Sequence, residues 1–178
     1  MQPIIHYGHH AGLNPKKVVI ILGELDIPYE INPNGRVPAV EDPNTGVALW
    51  ESGAIIKYLV DKYDHKRKIS FEPGTANIYH AEQWLHFQAS GQGPYFGQAV
   101  WFKIHHKEQV QTAIDRYINE IRRVSGVLNG VLEGRIYLID DKCSYADFVF
   151  VSWFEVVPWA TGGEVDLEKD FPLNILTT

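Results

Sequence analysis

The chain has 178 residues, 45% of them hydrophobic, enough to bury a core as one domain or as two small ones sharing an interface. Sixteen Lys and Arg against 22 Asp and Glu give a net charge of -6, and no basic run interleaved with aromatics occurs, which argues against a nucleic-acid partner. Cys143 is the lone cysteine, "MQPIIHYG" lacks a signal-peptide pattern, and "ADFVFVSWFEVVPWA" is too short to span a bilayer and carries Glu155, so a cytoplasmic protein without a membrane partner is expected.

In chain order, "IIHYG" has the β-branched and aromatic content of a short strand. "LNPKKVVIILGELD" reads as a helix, with Asn14 as its N-cap, Pro15 at its first position and Val18, Ile21, Leu22 and Leu25 at helical spacing. "PYEINPNG" is extended and turn-rich. "VPAVED" and "GVALWE", separated by "DPNTG", form a β-hairpin, and from Ser52 the residues Ile55, Ile56, Leu59, Val60 and Tyr63 switch to helical period. The charged "DKYDHKRK" ends this α/β unit as a linker.

Beyond the linker the pattern is helical. "ANIYHAEQWLHFQAS" is one helix, and "KEQVQTAIDRYINEIRRVSGVLNGVLE" is a longer one whose Val110, Ile114, Tyr117, Ile121, Val124, Leu128 and Val131 make an apolar stripe. A further helix follows "KCS", with Ser144 and Asp147 at capping-box spacing. The expected organisation is α/β plus all-α, with one domain over residues 1–66 and a helical one over 67–178.

Two short motifs carry chemistry. An X-Pro bond is where a cis peptide is accessible, and a cis Val37-Pro38 would turn the Val37 N–H and C=O out of the sheet toward an extended peptide; a plain first-strand proline is the alternative. At Glu51-Ser52, a helix N-terminus favours a carboxylate and the Glu51 side chain an ammonium, so together they suit an α-amino-acid head group; the alternative is a simple N-cap. His9-His10 and His105-His106 lack metal-ligand spacing, so no metal site is expected, and Cys143 reads as a structural residue.

The segments "GLNPKKVVIILGEL", "NPNGRVPAVEDPNTGVALWESGAIIKYLVDKY", "WLHFQASGQGPYFGQAVWFK", "AIDRYINEIRRVSGVL" and "YLIDDKCSYADFVFV" resemble the glutathione S-transferase family over nearly the whole chain. Within it they are most similar to the fungal subgroup that includes the yeast nitrogen-regulation protein. The resemblance implies a thioredoxin-like N-terminal domain, a helical C-terminal domain, glutathione as co-substrate and a homodimer. It implies that Val37 and Pro38 hold the cysteinyl part of glutathione, Glu51 and Ser52 its γ-glutamyl head, and that Arg36 lies beside the tripeptide. Asn14 matches the position that faces the sulfur, where a donor and a helix dipole favour the thiolate; a plain cap is its other reading. Tyr7 is expected to pack within its strand. Tyr95, Phe96, Trp101 and Phe102 are candidates for an apolar electrophile pocket, or for interdomain core.

The chain departs from the family in two places. Between the first helix and "NPNGRVPA" only "PYEI" stands where the family has a complete strand and a second helix. The eight residues of "PYEINPNG" reach about 26 Å when extended, enough for a remnant edge strand leading to Val37. At the end, "EVDLEKDFPLNILTT" begins the family's last stretch without its closing helices, which leaves apolar surface uncovered. Three functions are compatible: a transferase joining the glutathione thiol to a small hydrophobic electrophile, in fungal secondary metabolism or detoxification; a non-catalytic glutathione-binding or regulatory protein; or an impaired, shortened product.

Overall fold

A computed structural model of the chain describes residues 1–9, 11–33 and 37–174. The N-terminal part holds strands β1 (Ile4–Tyr7), β2 (Tyr29–Asn32), β3 (Ala39–Asp42) and β4 (Val47–Trp50), with α1 (Leu13–Glu24) and α2 (Ser52–Tyr63). The strands form one sheet in the order β2-β1-β3-β4, with β2 parallel to β1 and the other pairings antiparallel. This is the thioredoxin-like arrangement without its second helix.

The register explains how that helix can be missing. Tyr7, at the end of β1, pairs with Asn32 on one side and with Ala39 on the other. The end of β2 and the start of β3 therefore lie at the same end of the sheet, two strand spacings or about 10 Å apart. The six residues between them can span roughly 20 Å. A helix inserted here is an excursion that leaves and returns at one end of the sheet, so its loss keeps the strand order and "YEIN" forms the expected edge strand.

Strand alternation gives the sheet one covered face. Ile4, His6, Val40 and Asp42 are buried beneath Val18, Ile21 and Leu22 of α1 and Ile55, Ile56, Leu59 and Val60 of α2. Ile5, Tyr7, Glu30, Glu41, Ala48 and Trp50 point the other way and none of them is buried. Asp42 closes the hairpin: its carbonyl accepts from Thr45 N (3.2 Å) and Gly46 N (2.8 Å), with Gly46 at φ +77°. Its carboxylate accepts from Asn44 N (2.8 Å), Asn44 Nδ2 (3.0 Å), Tyr58 Oη (2.6 Å) and the Tyr63 hydroxyl, which ties the turn to α2.

After α2, the buried Asp64 carboxylate gathers the amides of Lys68 (2.6 Å) and Ile69 (3.0 Å) and the Ser70 hydroxyl (2.7 Å). The helical part comprises α3 (Ala76–Phe87), α4 (Gly93–Val100), α5 (Gln111–Val131), α6 (Tyr145–Phe154), α7 (Val157–Thr161) and α8 (Leu167–Asp170). Two π-helical turns, Gln88–Gln92 and Trp101–His105, follow α3 and α4. α5 buries Ile114, Ile118, Ile121, Val124 and Leu128, close to the expected stripe. α6 starts on the expected capping box, with Ser144 N donating to Asp147 Oδ2 at 2.8 Å, while Asp147 Oδ1 also holds Leu138 N at 2.8 Å. Among the described residues no helix is long and apolar enough to cross a membrane.

Candidate functional site

Asn14, Val37, Pro38, Trp50, Glu51 and Ser52 line one cavity of about 460 Å³. Five of these residues are singled out by the sequence; Trp50, the residue before Glu51, is added by the structure. Arg36 lies outside the described residues, as does His10.

The fold delivers each wall. α1 brings Asn14 in its first turn. The helix begins two residues earlier than the expected cap at Asn14 implies, with Gly12 as N-cap in extended conformation (φ -80°, ψ 120°) and its carbonyl accepting from Lys16 N at 3.0 Å. Asn14 is therefore the second helical residue and not the cap, because Gly12 makes the turn into the helix and leaves the Asn14 carboxamide for other partners. Val37-Pro38 is cis, and β3 starts only at Ala39, so Val37 lies outside the ladder.

The hairpin's end and the start of α2 supply the rest. Glu51, not Ser52, occupies the N-cap position, and neither side chain caps the helix. Glu51 adopts φ +70° and ψ 116°, unusual for a residue with a Cβ, while its carbonyl accepts the first helical bond from Ile55 N at 2.9 Å. The Glu51 carboxylate is exposed and accepts no hydrogen bond from the described residues; Ser52 is 6% exposed. The first turns of α1 and α2 hold no acidic residue, so the positive ends of two helices stand at the cavity, with Glu51, at the N-cap position of α2, as the carboxylate among its lining residues.

Two further residues act on this cavity from a distance. Lys17, one turn after Asn14, is 2% exposed and donates to Gln88 Oε1 at 2.6 Å. Gln88 Nε2 continues to Gln92 Oε1 (3.0 Å) and Gln92 Nε2 to the Phe150 carbonyl (3.2 Å), a buried polar chain through the first π-helical turn into α6. Burial pulls the Lys17 ammonium down to about 8, against the charge of Glu51, which favours the protonated form. From α6, Trp153 Nε1 donates to Asn14 Oδ1 at 3.0 Å. Sequence patterning carries no signal for either pairing, since one spans 71 residues and the other 139.

The four aromatics do not form one group, and none is among the residues lining this cavity. Phe96 is fully buried edge-on to Phe154, so it belongs to the interior, where it cannot face a ligand. Tyr95 and Phe102 both pack on Tyr117, at 6.4 and 5.6 Å between ring centroids, and Trp101 is half exposed beside His105. A separate, mainly apolar cavity of about 520 Å³ lies among Val151, Phe154, Val157, Val165 and Leu167. Tyr7 sits on the open face of the sheet with its hydroxyl on Glu41 Oε1 at 2.9 Å. The Cys143 thiol is pushed up to about 11 by burial and then by the charges of Asp147 and Glu24, the opposite of an activated nucleophile. Among the described residues no cluster of three or more His, Cys, Asp or Glu could hold a metal ion.

Comparison with known proteins matches residues 29–61 to the model of the glutathione S-transferase N-terminal domain and residues 94–173 to that of the C-terminal domain. The glutathione S-transferase-like protein gedE of Aspergillus terreus is 50% identical over 175 residues, 85% of this chain and 77% of that protein. The glutathione transferase URE2P8 of Phanerochaete chrysosporium, solved with oxidized glutathione, superposes with a TM-score of 0.91 at 39% identity, covering 98% of this chain and 86% of that one. The nitrogen regulation fragment of the yeast prion protein URE2P superposes with a TM-score of 0.87 at 31% identity, covering 98% and 90%.

Proposed function

The chain belongs to the glutathione S-transferase family, and from that premise we propose that it is a glutathione transferase joining the glutathione thiol to a small hydrophobic electrophile. The observation that carries this reading is the convergence, in one cavity, of the Asn14 carboxamide, the unladdered Val37 backbone and the Glu51 carboxylate beside the Ser52 helix start. Solved relatives hold glutathione or its oxidized form. In this chain the γ-glutamyl ammonium would meet Glu51 and its carboxylate the first turn of α2, the cysteinyl backbone would pair with Val37 beside Pro38, and the thiol would come to Asn14. Arg36 keeps its proposed place beside the tripeptide.

The nucleophile belongs to the ligand. The thiol loses its proton to solvent water, the thiolate sulfur forms a C–S bond at the electrophilic carbon, and the leaving group departs with its bonding electrons. The protein contributes donors and helix dipoles that stabilise the thiolate before the attack. Tyr95, Trp101 and Phe102 remain the proposed apolar contacts for the electrophile; Phe96 supports them from the interior. A homodimer and a role in fungal secondary metabolism or detoxification belong to the same proposal, the latter supported by the likeness to the Aspergillus protein.

Thermal melting with and without glutathione, paired with conjugation of an activated aromatic halide, tests the reading. Stabilisation by glutathione with turnover is expected. Stabilisation without turnover across a panel of electrophiles makes the chain a binding protein, and a melting temperature indifferent to millimolar glutathione removes the site as assigned.

A further inference from the structure

We infer that Trp153, on the helical domain, is a positioning residue that fixes which edge of the Asn14 carboxamide faces the glutathione sulfur. The inference rests on the proposed role of Asn14 and adds the partner that gives that side chain its polarity. An amide is ambiguous by itself: rotated by half a turn, it offers a ligand either an oxygen acceptor or an NH2 donor at nearly the same place. Only the donor stabilises a thiolate; the oxygen would repel it.

The indole removes the ambiguity. A tryptophan N–H donates and cannot accept, so the atom it meets at 3.0 Å must be Oδ1. With Oδ1 held, the Asn14 NH2 has no protein partner among the described residues, and Asn14 lines the 460 Å³ cavity. The flipped amide would set NH2 against N–H and leave a donor pair in conflict. Trp153 is itself held in place. Its six-membered ring lies along Gly93 and Gly97 of α4, where a Cβ would stand 3.5–3.6 Å from it. Its helix is anchored by the Ser144–Asp147 capping box, and one turn away the Phe150 carbonyl ends the chain from Lys17 through Gln88 and Gln92. The helical domain thereby holds α1 through Trp153, Gln88 and the Lys16–Glu155 ion pair, and orients the one side chain the chemistry needs.

The test is the pKa of glutathione bound to the full-length protein, read from thiolate ultraviolet absorbance, in wild type, Trp153→Phe, Asn14→Ala and the double variant. Trp153→Phe keeps most of the ring and loses the N–H. The bound thiol pKa is expected to rise by about one unit, and kcat/KM at neutral pH to fall about tenfold with an aromatic halide. Affinity for S-methylglutathione, which has no thiol to ionise, should not change. On the Asn14→Ala background, Trp153→Phe should have no further effect on the thiol, because the indole acts only through the amide. The inference is overturned if Trp153→Phe leaves the thiol pKa in place, or raises it equally without Asn14. A purely structural role would lower the melting temperature without moving the thiol. If Asn14→Ala alone fails to raise the thiol pKa, the role of Asn14 falls and this inference with it; if Asn14→Ala raises it and Trp153→Phe does not, only the role of Trp153 falls. Should Trp153→Phe not fold, side-chain amide resonances of the wild-type protein decide. The Asn14 NH2 pair must shift as the bound thiol ionises, and a pair indifferent to that ionisation overturns the inference.

Discussion

Asp42 and Glu51 are two carboxylates at opposite ends of one hairpin, and they have opposite fates. Asp42 is buried and saturated, with donors from Asn44, Tyr58 and Tyr63. Glu51 is exposed, sits at φ +70° and accepts no hydrogen bond from the described residues. A carboxylate whose lone pairs are filled by its own chain serves the fold, whereas one held out in an unfavourable backbone conformation is kept for something else. The same contrast separates Asp64, which gathers three donors from Lys68, Ile69 and Ser70, from the open N-terminus of α2.

The contrast predicts that Asp42 substitutions cost stability. Asp42→Ala leaves two tyrosine hydroxyls and the Asn44 amide without their acceptor, and a loss of about 4 kcal/mol is expected from chemical denaturation. Burial raises the Asp42 pKa, but the hydrogen bonds from Tyr58, Tyr63 and Asn44 outweigh it and bring the group down to about 2. Because the folded value is the lower one, this contribution is complete above pH 4 and is lost as the pH falls from there toward 2. Wild type should therefore lose stability faster than Asp42→Ala over that window. Parallel curves would show that the knot is not the source.

Lys17 sharpens the comparison from the opposite charge. It is buried like Asp42 but has one hydrogen-bond acceptor, Gln88, in place of several. Its ammonium is accordingly pulled down, from the usual 10.5 to about 8. Between pH 8 and 10.5 the unfolded chain binds a proton that the folded chain lacks, so stability rises with pH across that range. Relative to Lys17→Met, wild type should gain up to roughly 3 kcal/mol between pH 7 and 10.5, measured as paired urea midpoints. A wild-type curve that falls relative to the variant would reverse the sign and remove the argument.

Glu51→Gln should do what Asp42→Ala does not. Its melting temperature is expected to stay within error of wild type, while glutathione affinity falls by about 2 kcal/mol, near thirtyfold, on losing a charge-assisted bond to the ligand ammonium. Calorimetric titration checks it. An unstable Glu51→Gln with normal affinity would place Glu51 with Asp42 and erase the distinction.

The legible part of the molecule follows from local rules. Val18, Ile21 and Leu22 fall at helical spacing, "DPNTG" holds the turn residues, and Ser144 and Asp147 stand three apart, so α1, the hairpin and the start of α6 follow from neighbours in sequence. The two-residue difference at the start of α1 has a local cause: Gly12 and Asn14 both suit a cap, and only backbone conformation separates them. The π-helical turns at Gln88–Gln92 and Trp101–His105 leave no mark on composition. Within the site, Val37, Glu51 and Ser52 are readable because the hairpin itself brings them together. Lys17 and Trp153 carry no such signal because their partners lie a domain away, and Phe96 keeps two readings in sequence because an aromatic beside a Gly-Pro break looks the same in core and pocket.

The smallest expected effect concerns Tyr7, at the end of β1. Here register places Tyr7 on the uncovered face of the sheet, alongside Glu41, and its hydroxyl donates to that carboxylate. The hydrogen bond to Glu41 raises the phenol pKa and keeps the proton on Tyr7. A donor already committed to Glu41 is not available to a thiolate, and Tyr7 is absent from the residues lining the cavity that holds Asn14. Tyr7→Phe should accordingly leave both kcat/KM and the bound thiol pKa unchanged. A loss approaching that of Asn14→Ala would mean that the sulfur sits on the open face of the sheet, and the division between residues that hold the fold and residues that meet the ligand would have to be redrawn around Tyr7.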